Sequence, residues 1–166
     1  MNGGAADNDG GGGGGRDTAG VIAPPPVIYL AFLLIGFGAD ALWPAAVLPQ
    51  GPRYAAGTAA MVLGLALGLA AVHQFRRHET PFNPHQPSTA LITAGPYRYS
   101  RNPIYLALNL LYAGLSIAAD NPWTLAMLAP ALIVMHYGVI TREERYLERK
   151  FPDAYRRYKA TVRRWL

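Results

Sequence analysis

The sequence has no cysteine and little charge. Without cysteine, its 166 residues form no disulfide, no thiolate metal site and no cysteine nucleophile. Only 15% of the residues are charged, whereas 51% are hydrophobic. An ordinary soluble domain carries more charge than this. The length predicts one domain, and the composition predicts that much of that domain lies in a membrane.

Four apolar segments follow a glycine-rich start. The last three carry no charged residue, and the first carries only Asp40. Because a membrane-spanning helix needs about 17–25 mostly apolar residues, we predict spans at about 27–43, 55–75, 103–119 and 123–141. A soluble bundle of four such helices would leave few residues to face water. The predicted fold is therefore an all-α, polytopic membrane protein with about four transmembrane helices.

The two ends of the chain differ in composition from its centre. Residues 1–24 include six consecutive glycines, which predicts a disordered tail before a membrane domain at 25–166. Residues 142–166 combine basic residues with apolar ones at three- and four-residue spacing. This pattern predicts interfacial, basic amphipathic helices, broken near Pro152, on anionic lipid headgroups. Nucleic acid would attract the same charges, but attachment to membrane spans favours lipid as the partner.

The distribution of lysine and arginine predicts the topology. With four spans, both termini lie on one side of the membrane together with the loop at 76–102. That side holds all the lysines and arginines except Arg53. The positive-inside rule then predicts that both termini lie in the cytoplasm. We expect an integral protein of a bacterial inner membrane. The short turn at 120–122 predicts that the last two spans form an antiparallel hairpin.

The third span begins at Asn102-Pro103, within the stretch "GPYRYSRNPIY". An asparagine N-cap followed by proline is a common helix start, and Asn121-Pro122 opens the fourth span with the same pair. Helix initiation therefore explains these residues, but it does not explain Arg101 beside them. Arg101 is either an interface anchor with its charge in the headgroup region or part of a binding site.

An acidic pair, Glu143 and Glu144, follows the fourth span. Acidic residues early in a helix interact favourably with its dipole, and this is the simpler interpretation. However, the hairpin brings this end of the fourth span close to the start of the third. We therefore predict that the pair lies near Arg101. Cations, anions and aromatic rings at a membrane surface would form a pocket for a zwitterionic, ring-bearing ligand.

Two further features inside the spans have two interpretations each. The G-x-x-x-G stretch Gly64–Gly68 favours close helix packing, and the alternative is a close approach of the backbone to a ligand. His136 lies in the fourth span and is either a hydrogen-bonded interior residue or a catalytic one. The other histidines show no metal-ligand spacing, so we predict no metal site.

Together, "GPYRYSRNPIY" and "EERYLERKFPDAYRRYKATVRRW" resemble the isoprenylcysteine carboxyl methyltransferase and phospholipid methyltransferase superfamily, from about residue 80 to the end. The resemblance implies a helical membrane enzyme that uses S-adenosylmethionine as cofactor and methylates a lipid-like or hydrophobic acceptor. Carried over by position and chemistry, the expected cofactor contacts are Thr89, Ala90, Leu91, Ile92, Tyr97, Arg101, Asn102, Pro103, Tyr105, Glu143 and Glu144. Glu143 and His136 are the expected catalytic residues where the acceptor must lose a proton.

The sequence departs from the superfamily pattern at two positions. Asn102 stands where many members have histidine, and it cannot titrate. Val139 stands where the prenylcysteine enzymes carry an arginine, which disfavours a prenylated cysteine as acceptor. Two other functions stay open: an NADPH-dependent membrane reductase, since sterol reductases resemble the superfamily in this half, and a non-catalytic lipid-binding protein. The sequence leaves the oligomeric state undetermined.

Overall fold

The structure is a computed structural model that describes residues 18–78 and 90–166. Its regular elements are six α-helices with two short irregular helical turns: α1 Pro25–Leu42, α2 Gln50–Arg77, a 3-10 turn Gly95–Arg98, α3 Pro103–Ala118, α4 Pro122–Met135, a π turn His136–Ile140, α5 Thr141–Lys150 and α6 Pro152–Thr161. Three helices are long and apolar enough to cross a membrane, Pro25–Leu42, Gln50–Arg77 and Pro122–Lys150, whereas Pro103–Ala118 is apolar but shorter. The prediction of an all-α, polytopic membrane protein is confirmed.

Helix α3 is the centre of the helix arrangement. It packs along α2 on one side and contacts both α1 and α4 on the other, while α1 packs mainly on α4. Contacts between α1 and α2 are few. The predicted hairpin of α3 and α4 is confirmed, and its turn places Asp120 at φ 51°, a left-handed conformation that aspartate tolerates.

Glycines permit the close packing of α2 on α3. A Cβ at Gly57 would lie 2.6 Å from the carbonyl oxygen of Gly114, and one at Gly64 would lie 2.9 Å from that of Ala107. The packing interpretation of the G-x-x-x-G stretch therefore holds at Gly64. At Gly68 a Cβ would meet only the Cβ of Ala107, at 3.4 Å, so this glycine is not needed for backbone contact.

Helices α4 and α5 are parts of one continuous helix, Pro122–Lys150. The sequence analysis separated a span ending at 141 from an interfacial helix beginning at 142, but the structure shows no break there, since no proline interrupts residues 131–150. The π turn lies in the middle, and the Thr141 hydroxyl donates a hydrogen bond of 2.8 Å to the carbonyl of His136. The acidic pair, Glu143 and Glu144, lies in the first turn of α5.

Both ends of the described chain fold back onto the helices. The break near Pro152 is confirmed. The helix predicted up to residue 166 ends at Thr161, so the prediction is wrong for residues 162–166. In this segment the carbonyl of Arg163 accepts a hydrogen bond of 3.0 Å from the amide of Arg101. Of the predicted tail at 1–24, residues 1–17 lie outside the described residues. Residues 18–24 belong to the packed part of the protein, because the amide of Ile22 donates to the carbonyl of Gly138 at 3.2 Å.

The far end of the hairpin holds the single basic residue expected on that side. Arg53 pairs with Asp120 at 2.9 Å. The same carboxylate accepts hydrogen bonds of 3.0 Å from the amides of Val47 and Leu48. These contacts tie the loop between α1 and α2 to the turn between α3 and α4, and they hold the pKa of Asp120 below its usual value.

Candidate active site

A cavity of about 360 Å³ lies where α2, α3, α5 and α6 meet the loop at 90–98. Its polar residues are at one end: Arg101, Asn102, Glu143 and Glu144. The other lining residues are apolar or aromatic and come from α2, α3, α5, α6, the loop at 90–97 and the chain at 19–26. The hairpin brings the start of α3 beside α5. The charged end of the cavity therefore lies where the sequence analysis predicted a pocket.

Glu144 lies between two arginines. Its Oε1 is 3.2 Å from Nη1 of Arg101, and the side chains of both residues are 9% exposed. Arg164 contacts both carboxylate oxygens, donating from Nε at 3.0 Å and from Nη2 at 2.6 Å. This two-point hydrogen bond raises the pKa of Arg164. The predicted proximity of Arg101 to the acidic pair is therefore confirmed, and Arg164 joins them from the last residues of the chain.

Glu143 has a different partner. The hydroxyl of Tyr105, on the first turn of α3, lies 2.7 Å from both carboxylate oxygens of Glu143 and donates one hydrogen bond that they share. No ion pair is found for Glu143 among the described residues. The two adjacent glutamates thus differ in chemistry, because Glu144 is neutralised by guanidinium groups and Glu143 is held by a neutral phenol.

Aromatic side chains form much of the cavity wall near the charged end. Phe75, Tyr97, Tyr146, Tyr155 and Tyr158 all line it. The Tyr158 hydroxyl donates a hydrogen bond of 2.7 Å to the carbonyl of Tyr97, which fixes α6 to the loop before α3. Burial raises the pKa of Tyr155 to about 12 and raises the pKa of Tyr158 as well. Both phenols are therefore protonated at neutral pH.

The two Asn-Pro pairs differ in their contacts. Asn121 caps α4 as expected, since its Oδ1 accepts a hydrogen bond of 2.9 Å from the amide of Thr124. Asn102 occupies the N-cap position of α3, but its side chain makes no capping bond. Its Nδ2 instead donates to the carbonyl of Arg164 at 3.1 Å. The predicted cap at Asn102 is therefore wrong in detail, and this asparagine holds the end of the chain against the cavity.

The structure brings most of the predicted site residues together. Those that line the cavity are Ala90, Leu91, Ile92, Tyr97, Arg101, Asn102, Tyr105, Glu143 and Glu144. Pro103 is buried but does not line it, and Thr89 lies outside the described residues. His136 also does not line the cavity, and its ring contacts Arg164 at 3.4 Å.

Sequence reasoning missed the contribution of the C-terminal residues. Arg164, Tyr155 and Tyr158 were assigned to an amphipathic surface on lipid, whereas the structure places them at the site. The spacing of the tyrosines did show that they share one helix face, but it could not show what that face covers. Arg164 carried no distinguishing signal, because Arg163 beside it has the same chemistry.

Fold and site together define a class: a polytopic membrane protein with a charged and aromatic cavity at the ends of its helices. The sequence profile of the phospholipid methyltransferase family matches residues 52–154. This match covers more than half of the chain. It includes α3, α4 and nearly all of α2, but not α1. The chain belongs to the phospholipid methyltransferase family, and membership implies a membrane methyltransferase.

Shorter matches connect the chain to individual proteins. It is 41% identical over 63 residues to an uncharacterized protein of Haemophilus influenzae, across 38% of this chain and 100% of that protein. It is 36% identical over 66 residues to the nickel-cobalt-cadmium resistance protein NccN of Alcaligenes xylosoxydans xylosoxydans and 35% identical to the cobalt-zinc-cadmium resistance protein CzcN of Cupriavidus metallidurans, matching 31% of each. No solved structure matches this chain. Within residues 18–78 and 90–166, no three His, Asp or Glu residues form a group that could hold a metal ion.

Proposed function

We propose that this protein transfers a methyl group from S-adenosylmethionine to a lipid-like or hydrophobic acceptor at the cytoplasmic face of a bacterial inner membrane. One observation carries the proposal: the pair of Arg101 and Glu144 stands at the end of a cavity whose remaining walls are aromatic and apolar. Family membership supports methyl transfer. The placement of lysine and arginine supports the cytoplasmic side.

The residues at the charged end fit the cofactor chemically. The amino-acid part of S-adenosylmethionine needs a cation for its carboxylate and an acceptor for its ammonium group, and Arg101 and Glu144 would provide these. Nε of Arg101 is buried with no hydrogen-bond partner among the described residues, so the guanidinium still has a donor to offer. The rings of Tyr97 and Tyr155 suit a sulfonium through cation–π attraction. The bound cofactor supplies an activated methyl carbon for an in-line displacement.

The two glutamates have separate roles in this proposal. Glu144 is bound to two guanidinium groups, so we assign it to binding the charged amino-acid part of the cofactor. Among the described residues Glu143 is bound only by the Tyr105 hydroxyl, so we assign it as the proton acceptor when the methyl group goes to an amine or a hydroxyl group. A carboxylate acceptor would need no base. His136 does not line the cavity and contacts the site through Arg164, which favours Glu143 over His136 for this role.

The C-terminal part of the chain would serve the reaction in two ways. The backbone of Arg163 and Arg164 accepts hydrogen bonds from Arg101 and Asn102 at the charged end, and this segment would limit access of water to the transferred methyl group. The exposed side chains of Arg149, Arg156 and Arg157 would lie on anionic lipid headgroups, each contributing about 1 kcal/mol near the surface. The lipid contact would thereby hold α6 at the membrane face above the cavity.

The test is calorimetry of the detergent-solubilised protein with S-adenosylhomocysteine and, separately, with NADPH. We expect S-adenosylhomocysteine to bind and Arg101→Ala to weaken binding by about tenfold or more, because a hydrogen bond to a charged group contributes about 1.5–3 kcal/mol. Arg98→Ala is the matched control: Arg98 is on the same loop with an exposed side chain, and binding should not change. Binding of NADPH alone would indicate a reductase. Binding of neither by the folded wild type would refute enzymatic function with either cofactor.

A further inference from the structure

The apolar part of the cavity has a regular construction. On α3 its floor is formed by Ile104, Leu108 and Leu111, and on α2 its wall is formed by Gly68, Val72 and Phe75. Both sets have the spacing i, i+4, i+7, which places each on one face of its helix. Seven residues of helix extend about 10 Å, roughly a third of the hydrocarbon core of a bilayer. The cavity is therefore an apolar slot that runs from the charged end into the membrane.

The deep end of this slot is closed by helix packing. A Cβ at Gly64, one turn beyond Gly68, would lie 2.9 Å from the carbonyl of Ala107 and 3.1 Å from the side chain of Leu111. The backbones of α2 and α3 are thus in contact there. A chain longer than about 10 Å cannot continue between these two helices.

The side of the slot facing α1 is built differently. Pro25 and Pro26, at the start of α1, line the cavity together with residues of α2, yet α1 and α2 make few contacts along their lengths. Both helices contact α3. In a bilayer, lipid chains occupy any gap between such helices, because unfilled space loses van der Waals contacts.

We propose that the acceptor's apolar chain passes between α1 and α2 from the bilayer into this slot, and that Gly68 sets how deeply the chain can enter. This inference rests on the proposed function, since it places the acceptor's reactive group near Glu143 and its chain along α3. Gly68 has no side chain, and among the described residues only the Cβ of Ala107 lies within 4 Å of where a Cβ at this position would be. A larger residue at this position therefore extends into the slot without striking backbone.

The test uses photolabelling of the full-length protein in membrane vesicles. The probe is a long-chain fatty alcohol with a diazirine midway along its chain, and labelled positions are identified by peptide mass spectrometry. We expect labelling of the α3 segment that holds Leu108 and Leu111. Gly68→Leu should reduce it by about tenfold, because filling the slot excludes the chain. Gly38→Leu is the control, since a Cβ at Gly38 meets nothing within 4 Å, and its labelling should equal that of the wild type.

The readouts separate this inference from the proposed function. Binding of S-adenosylhomocysteine to Gly68→Leu should stay within about twofold of the wild type, because Gly68 lies away from the charged end. Equal labelling of folded Gly68→Leu and Gly38→Leu would overturn the inference, as would the absence of α3 labelling in the wild type. If Gly68→Leu does not fold, Val72→Phe on the same wall should reduce labelling in the same way. Failure of the wild type to bind S-adenosylhomocysteine would refute the cofactor, while the labelling pattern would still report the slot.

Discussion

The stability of the fold should depend unequally on the members of the ion cluster at the charged end. Replacing Glu144 by glutamine leaves Arg101, whose side chain is 9% exposed, without its anionic partner. Removing one partner of a buried ion pair typically costs about 3–5 kcal/mol. Since glutamine keeps the shape and one acceptor oxygen, we expect the low end of this range for Glu144→Gln, about 3 kcal/mol.

Arg164→Gln should cost less. Glu144 would still be neutralised by Arg101, and the Arg164 side chain is 31% exposed, so water compensates part of the loss. Hydrogen bonds to a charged group contribute about 1.5–3 kcal/mol, and exposure reduces this to about 1 kcal/mol. The double variant should cost less than the sum of the two single ones, by about 1 kcal/mol, because both remove the same contact.

The assay is reversible unfolding in mixed detergent micelles, with all three variants measured as a double-mutant cycle. Arg163→Gln is the matched control, since its side chain is exposed and its contact with Arg101 is made by the backbone carbonyl; its stability should equal that of the wild type. Equal costs for Glu144→Gln and Arg164→Gln would refute the unequal dependence predicted here, and strict additivity in the cycle would refute the assignment of Arg164 as a partner of Glu144.

Two further predictions concern the membrane fold. Topology reporters fused after residue 50 and after residue 166 should lie on opposite sides of the membrane, because all basic residues except Arg53 fall on one side; reporters on the same side would contradict four crossings. In the micelle assay, Gly57→Ala should lower stability by about 1–3 kcal/mol, because the new Cβ would lie 2.6 Å from the carbonyl of Gly114. Gly38→Ala, which meets open space, should cost far less, and equal losses would show that the α2–α3 contact is not tight.

The helices and the neighbourhood of Arg101 could be predicted from the sequence because both follow from short-range rules. Apolar runs of spanning length define the helices, and a tight turn makes two neighbouring helices antiparallel. Antiparallel helices bring the start of one beside the end of the next, which is how Arg101 comes to Glu144. The other expected cofactor contacts were predicted from the family resemblance and not from these short-range rules.

The role of the C-terminus could not be predicted, because it depends on where the chain reverses after α6. No glycine or proline marks the turn at 162–166, and Arg163 and Arg164 are chemically identical. Which of the two faces Glu144 is decided by tertiary contacts, including the amide of Arg101 and the side chain of Asn102. The same contact explains why Asn102 does not cap α3 while Asn121 caps α4, although each precedes a proline.

The π turn at His136–Ile140 sets the rotational phase of the acidic pair. An α-helix advances about 100° per residue, and a π turn accommodates one residue more than an α turn. Glu143 and Glu144 therefore point about 100° away from where an uninterrupted α-helix through the same residues would direct them. One continuous helix can thus present Ala131 and Met135 to α1 and, two turns later, present carboxylates to α3 and the C-terminus. Because of the one extra residue in this turn, the direction of the two carboxylates is not fixed by the face that α4 packs against α1.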